Sequence, residues 1–198
     1  KPFSYEELSC RIAQNLEMIE QIETIREVAN RDFLTGLHNR RFFFEHGQEI
    51  YLRAVREQIP LAIAMVDIDN FKKLNDSLGH AVGDAALVHL SQVARETIRP
   101  QDTLARYGGE EFVLVMPNIG IEKARERAED LHTTINALNI SYGRFNLTTT
   151  ISMGIAWYPA HGTTKEALMR AADMAMYVAK NTGRNRVITY DEREAGSL

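Results

Sequence analysis

Four carboxylates in two short runs are the residues of this chain best suited to chemistry. Asp67 and Asp69 stand at the end of "LAIAMVDID", and Glu110 and Glu111 follow the paired glycines of "RYGGEEFVLVM". The first run is almost continuously apolar, which reads as a strand buried on both faces whose last residues turn polar. The second reads as a hairpin, "TLARY" and "EFVLVMP" joined at Gly108 and Gly109. In a β-α-β-β order the first strand lies beside the hairpin, so the two acidic ends can meet. Carboxylates gathered within a few ångströms in a partly dry site repel unless a proton or a cation neutralises them. Hard oxygen donors of this kind suit Mg²⁺, which keeps positions open for water and phosphate oxygens. Each pair alone has a plainer use: Asp67 and Asp69 as caps of the next helix, Glu110 and Glu111 as solvated turn residues.

Other chemistry is thinly represented. No Walker sequence or G-x-G-x-x-G fingerprint is present. "LGHAVGD" brings two glycines and Asp84 to a helix start, which an ordinary loop with an N-cap aspartate also explains. "AKNTGRNR" sets Lys180, Arg184 and Arg186 around a helix end, where cations suit the helix dipole as well as a phosphate. The six histidines show no metal-ligand spacing, and nothing local supports Ser/His/Asp catalysis. Cys10 is the only cysteine, which excludes an intrachain disulfide and a zinc finger and fits a reducing, cytoplasmic setting. A net charge of −4 provides no basic field for nucleic acid or for an anionic membrane. The apolar run "IPLAIAMV" is far shorter than the roughly 20 residues of a membrane span. Lys1 to Cys10 lacks the apolar core of a signal peptide.

The elements that must position these groups can be traced along the 198 residues, enough for one domain with a short appendage. Tyr5 to Ala29 is helical. Tyr5, Ile12, Ile19 and Arg26 as a positions and Leu8, Asn15, Ile22 and Ala29 as d positions suit a short coiled-coil seam. The same spacing would serve an amphipathic helix packed on its own domain. The chain opens without Met inside this pattern, which fits a piece of something longer. "RDFLTGLHNRRFF" breaks the pattern, with Asp32 or Thr35 as caps and a turn at Gly36 and Asn39. After "LAIAMVDID" come a helix over "GDAALVHLSQVARETIR", the hairpin, and a helix over "IEKARERAEDLHTTINAL". A strand region over "FNLTTTISMGIAWY", a helix over "TKEALMRAADMAMYVAKNTG" with Gly183 at its C-cap, and a strand at "RVITY" complete the chain. The order β-α-β-β-α-β-α-β predicts an α+β, ferredoxin-like core with an appended helix and strand.

From about Arg31 to Tyr190 the chain resembles the GGDEF domain of diguanylate cyclases, in its GGEEF form. The likeness rests on "DFLTGLHNRRFF", "DIDNFKKLNDSLGHAVGD", "ARYGGEEF" and "AKNTGRNRV", in the family's order and separations. It implies a nucleotidyl cyclase-like domain over residues 31–198, preceded by a helical linker over 1–30 that connects to an upstream sensor. It also implies the condensation of two GTP into cyclic di-GMP with release of two pyrophosphates, at a site shared by two facing domains of a homodimer.

Carried over position by position, Asp67, Glu110 and Glu111 would hold Mg²⁺, or Mn²⁺ in its place, with the carbonyl of Ile68. Glu110 would take the proton of the attacking 3′-hydroxyl. Asn75 and Asp84 would pair with the guanine edge; an aspartate there accepts from donors that adenine lacks. Phe71 and Lys72, through main-chain N–H groups around Asn70 to Lys72, would join His80, Gly108, Gly109, Lys180 and Arg184 in binding the substrate. Glycine at 108 and 109 is expected to spare the nucleotide a side chain and to allow positive φ. Arg99 and Asp102 of "RPQD" match the family's R-x-x-D site, where the product binds and inhibits. Arg125 and Arg127 are candidates for a further arginine there, whereas His132 stands where relatives often carry one. The alternative is a catalytically idle domain that binds cyclic di-GMP or GTP. Degenerate relatives lose the glycines or acids of the turn, and this chain keeps them all.

Overall fold

The structure is a computed structural model that describes residues 4–191. Residues 1–3 and 192–198, the outer ends of the two expected domains, lie outside the described residues. The chain divides between Arg31 and Asp32 into two compact units. The first is helix α1, Tyr5–Ala29, whose N-cap Ser4 accepts a hydrogen bond from the Glu7 N–H at 3.1 Å. Leu8, Ile12, Ile19 and Ile22 are exposed along it.

The second unit carries, in chain order, β1 (His38–Asn39), α2 (Arg40–Glu57), β2 (Leu61–Ile68), α3 (Phe71–Leu78), α4 (His80–Thr97), β3 (Thr103–Arg106), β4 (Glu111–Pro117), α5 (Ile121–Asn136), β5 (Ile140–Tyr142), β6 (Phe145–Leu147), β7 (Ile151–Tyr158), α6 (Lys165–Asn181) and β8 (Arg186–Thr189). Six strands form one sheet in the order β1-β3-β4-β2-β7-β8. Its central four, β3-β4-β2-β7, are antiparallel throughout, the ferredoxin-like order the sequence pattern predicts. The appended β8 lies parallel to β7, and β1 lies parallel to β3.

All eight residues of β2 are buried, because it is the middle strand and both its faces are covered. Ala62, Ala64, Val66 and Ile68 belong to the core that includes Leu87 and Leu90 of α4 and Leu131 of α5. Leu61, Ile63 and Met65 belong to the opposite core, with Phe43 of α2 and Leu168 of α6. This alternation puts Asp67 on the α2 and α6 face.

Helix α6 approaches β7 closely at Gly154. A Cβ there would lie 2.1 Å from both Ala172 O and Met176 N, which are backbone atoms and cannot swing aside. Gly154→Ala is therefore expected to destabilise the domain by about 3 kcal/mol or more. Urea melts of the two proteins measure the difference; a loss below about 1 kcal/mol would mean that α6 slides freely on the sheet.

Several features depart from the elements read off the sequence: β1 and α2 stand ahead of the predicted order, and α2 is capped by Asn39 rather than by Asp32 or Thr35. The single strand region over "FNLTTTISMGIAWY" is split. Phe145–Leu147 pairs with Ile140–Tyr142 in a separate two-stranded sheet, turning at Gly143 with φ 58°, and only Ile151–Tyr158 joins the main sheet. A further helix, α3, precedes the one expected after β2. Gly79, at φ 89°, ends α3 with its N–H on Asn75 O at 2.8 Å, and α4 begins at once. α3 carries an apolar i, i+3, i+7 spacing at Phe71, Leu74 and Leu78, but its eight residues are fewer than the stretch over which a helical period is read. At the other end of α4 and beyond, the pattern holds. The cap of α6 closes as predicted around Gly183, with Arg184 N–H on Ala179 O at 2.9 Å.

Candidate active site

Asp67 and Glu111 are directly paired across β2 and β4. Residues opposed in this way have Cβ atoms about 5 Å apart on one face of the sheet. The turn is drawn against β2 as well: Ile68 N–H donates to Glu110 O at 3.3 Å. Within the turn, Glu111 O accepts from Tyr107 N–H at 2.8 Å and from Gly108 N–H at 3.2 Å. Both glutamate side chains are half-buried.

Asp67 is nearly buried, at 6% exposure, and its Oδ2 lies 2.7 Å from Lys180 Nζ. Burial raises its pKa, the Lys180 ammonium pulls it part of the way back, and the charges of Glu110 and Glu111 add to the rise, leaving it at about 6. A desolvated carboxylate with two more beside it is short of positive charge, and one lysine makes up part of the deficit. Among the described residues, no three acidic, histidine or cysteine side chains close on one point in this conformation. The donors nonetheless fit a hard divalent cation: carboxylate oxygens on two adjacent strands, with Lys180 Nζ at the position of unmet cationic demand.

Of the two purposes expected of the turn glycines, positive φ is not found: neither Gly108 nor Gly109 has it. A Cβ on Gly108 would lie 2.8 Å from Glu111 Oε2, so this glycine leaves room for the carboxylate; the space at Gly109 is open. Arg106 was not among the residues singled out by the sequence. Its guanidinium donates to Gly108 O at 3.2 Å and Gly109 O at 2.8 Å, and to Asp32 Oδ1 at 3.0 Å. Burial raises the Asp32 pKa, but hydrogen bonds from Thr35 and the Arg106 charge outweigh it and hold the carboxyl below its usual range. The turn carrying Glu110 is thus tied to the start of the second unit.

Beyond β2 the chain turns at Asn70, φ 56°, into α3, whose N-terminus has no side-chain cap. Phe71 is buried and Lys72 exposed. The free N–H groups of that first turn are suited to an anion. Asn75, on α3, has a buried Oδ1 with no hydrogen-bond partner. This oxygen presses against Gly83, where a Cβ would lie 1.9 Å away, so Asn75 and the exposed Asp84 are brought together. His80 is exposed at the start of α4, one turn before Asp84. Arg184 is exposed just beyond α6.

Arg99 and Asp102 are elsewhere. Arg99 holds Asp102 through Nε at 3.0 Å and Nη2 at 2.6 Å, and Nη2 also reaches Pro117 O at 3.4 Å. Pro117 ends the strand that Glu111 begins, so the pair is about 20 Å from the acidic turn. Arg99 lines a cavity of about 430 Å³ together with Lys123 and Arg127. Arg125 is engaged instead by Glu129 at 2.8 Å, and His132 by Asn136.

Residues 29–186 match the family model described as diguanylate cyclase, GGDEF domain. The response regulator PleD of Caulobacter vibrioides is 36% identical over 197 residues, covering 95% of this chain and 43% of its own length. The diguanylate cyclase TpbB of Pseudomonas aeruginosa is 39% identical over 158 residues, covering 79% of this chain and 36% of its own. The chain therefore spans less than half the length of these curated relatives. The coiled coil and GGDEF domain of DgcB from Caulobacter crescentus, solved in complex with c-di-GMP, superimposes with a TM-score of 0.82 at 28% identity. That match covers 92% of this chain and 96% of the other.

Proposed function

The chain belongs to the GGDEF-domain family of diguanylate cyclases, and on that premise we propose that residues 31–198 form a cyclase domain converting two GTP into cyclic di-GMP and two pyrophosphates. The observation that carries the reading is the pairing of desolvated Asp67 with the Glu110–Glu111 turn at an open sheet end. Asp67, Glu110, Glu111 and the Ile68 carbonyl would hold Mg²⁺, or Mn²⁺ in its place. Such an ion supplies charge neutralisation on phosphate oxygens. Asn75 and Asp84 take the guanine edge, and the orphaned Asn75 Oδ1 gains a donor when they do. The first turn of α3 with Phe71 and Lys72, together with His80, Gly108, Gly109, Lys180 and Arg184, lines the rest of the nucleotide. Lys180, which is paired with Asp67 at 2.7 Å, would meet the terminal phosphates.

Each domain binds one GTP, and two domains face each other. The 3′-oxygen of each nucleotide attacks the α-phosphorus of the other, the bond to the β-phosphate breaks, and pyrophosphate leaves. Glu110 accepts the hydroxyl proton. Positioning and electrostatics supply most of such catalysis. The α1 seam would bring two copies together and link them to an upstream sensor, so dimer geometry would set the rate. Cyclic di-GMP would return to Arg99 and Asp102, with Arg127 as a neighbouring cation, and restrain the enzyme. Among the described residues no helix is long and apolar enough to cross a membrane; a nucleoside triphosphate substrate would fit work in the cytoplasm.

Incubation with GTP and Mg²⁺ at two protein concentrations, with nucleotides resolved by chromatography, tests the reading. Product rising faster than linearly with protein supports a site shared by two domains. No product at either concentration, with cyclic di-GMP still bound, would replace the cyclase by a receptor. Gly83→Ala, which displaces the Asn75 amide, is expected to raise the KM for GTP about tenfold with kcat little changed. An unchanged KM would remove Asn75 from the guanine site.

A further inference from the structure

Asp69 lies two residues past Asp67, is 7% exposed, and has no part in the reaction just described. Its carboxylate nevertheless accepts three hydrogen bonds. Oδ1 accepts from Ser152 Oγ at 2.7 Å, and Oδ2 accepts from Thr150 Oγ1 at 2.7 Å and from the Asn185 backbone N–H at 2.9 Å. The first two donors flank the start of β7. The third belongs to the loop between α6 and β8, 116 residues along the chain.

That loop has an uncommon backbone. Arg184 and Asn185 have φ of 61° and 50°, consecutive residues in the left-handed region without a glycine between them. L side chains avoid this region, and such a pair persists only where its surroundings fix it. The fixing bonds are Arg184 N–H to Ala179 O at 2.9 Å, Asn136 Nδ2 to Asn185 Oδ1 at 2.7 Å, and Asn185 N–H to Asp69. Arg186 Nε also donates to Arg184 O at 2.9 Å; only the bond to Asp69 ties the loop to the end of β2, and hydrogen bonds to a carboxylate are among the strong ones. The loop held in this way bears Arg184, four residues beyond the lysine that reaches Asp67.

We infer that Asp69 is a positioning residue whose buried carboxylate anchors Asn185 and so sets the α6–β8 loop for Arg184 to meet the terminal phosphates of a nucleoside triphosphate. This rests on the cyclase reading of the site. A carboxylate serving only to join β2 to β7 would need Ser152 and Thr150 but not Asn185.

The test is a set of binding constants, with Mg²⁺, for GMP and for a GTP analogue with a methylene α,β-bridge. The wild type, Asp69→Asn, Arg184→Ala and the double variant are compared. Asp69→Asn is expected to weaken the triphosphate about tenfold, the loss of one charge-assisted contact, and to leave GMP unchanged. The double variant is expected to bind no worse than Arg184→Ala alone, since both act through one contact. Additive losses, or equal losses for GMP, overturn the inference.

Asn185→Ala gives a second route should Asp69→Asn fold poorly. It keeps the N–H but penalises the left-handed backbone, and is expected to weaken the triphosphate alone, about threefold. Ser152→Ala, which cuts the strand side of the network only, is expected to lower stability without altering the ratio of triphosphate to GMP affinity. If the wild type binds no triphosphate, the cyclase reading falls, and hydrogen exchange then decides the anchor by itself. Loss of Asn185 amide protection in Asp69→Asn, with β7 amides still protected, supports it; retained protection overturns it.

Discussion

Glu110→Gln is expected to slow cyclic di-GMP formation by about a thousandfold while the chain still folds and still binds GTP with Mg²⁺. Glutamine keeps the volume and hydrogen-bonding reach of the side chain and loses only its basicity and charge. The backbone at 110 is held independently, by the bond from Ile68 N–H to Glu110 O at 3.3 Å and by the Arg106 guanidinium on the Gly109 carbonyl. The substitution therefore leaves the turn in place. The partition between kcat and KM identifies the role. A proton acceptor touches the transition state alone, so kcat falls and KM for GTP stays within about threefold. A residue needed mainly to hold the cation would raise the Mg²⁺ requirement, and excess Mg²⁺ would restore the rate. Retention of more than a tenth of the wild-type kcat would remove Glu110 from proton transfer altogether.

The parts legible in the sequence are those fixed by local pattern. "LAIAMVDI" is apolar at every position but Asp67 because β2 is central, and the glycine turn between two β-rich runs marks the β3–β4 hairpin. With the helices between them, these strands are enough to order the ferredoxin-like core. The parts that were not legible depend on contacts between distant residues or on very short elements. Helix α3 has eight residues, and β5 and β6 have three each, below the length at which periodicity shows. Lys180 was readable as a cation at a helix end, but its bond to Asp67 crosses 113 residues and exists only after α6 docks on β7. Arg106 is similar: its neighbours in sequence drew notice, while its partner Asp32 lies 74 residues away. At Gly108 the expected positive φ is absent, and the approach of the Glu111 carboxylate to within 2.8 Å of a Cβ there is visible only in the packed turn.

Asp67→Asn is expected to stabilise the protein without metal at neutral pH while abolishing Mg²⁺-dependent turnover, by at least about a hundredfold. The sign follows from the proton balance. In the fold, Asp67 titrates at about 6, against 3.8 ordinarily. Below pH 3.8 the carboxyl is protonated in both the folded and unfolded chains, and its contribution to stability is whole. Between there and about 6 the unfolded chain sheds its proton first, so stability declines as pH rises, and above that the loss is complete. A gap of this size corresponds to at most about 3 kcal/mol. Asparagine carries no such penalty. Lys180, with its side chain 30% exposed, can turn its ammonium to water when the partner charge goes. Urea melts without metal at pH 4.5 and 7.5 are therefore expected to show the wild type weakening across the interval more than the variant does. With Mg²⁺ and GTP at pH 7.5 the order should reverse, because ligand stabilises only the protein that binds it. A variant less stable than the wild type at pH 7.5 without metal would show that the Asp67–Lys180 pair outweighs the burial of the charge. Asp67 would then be a structural ion pair rather than a carboxylate held at a cost to stability for the arriving cation.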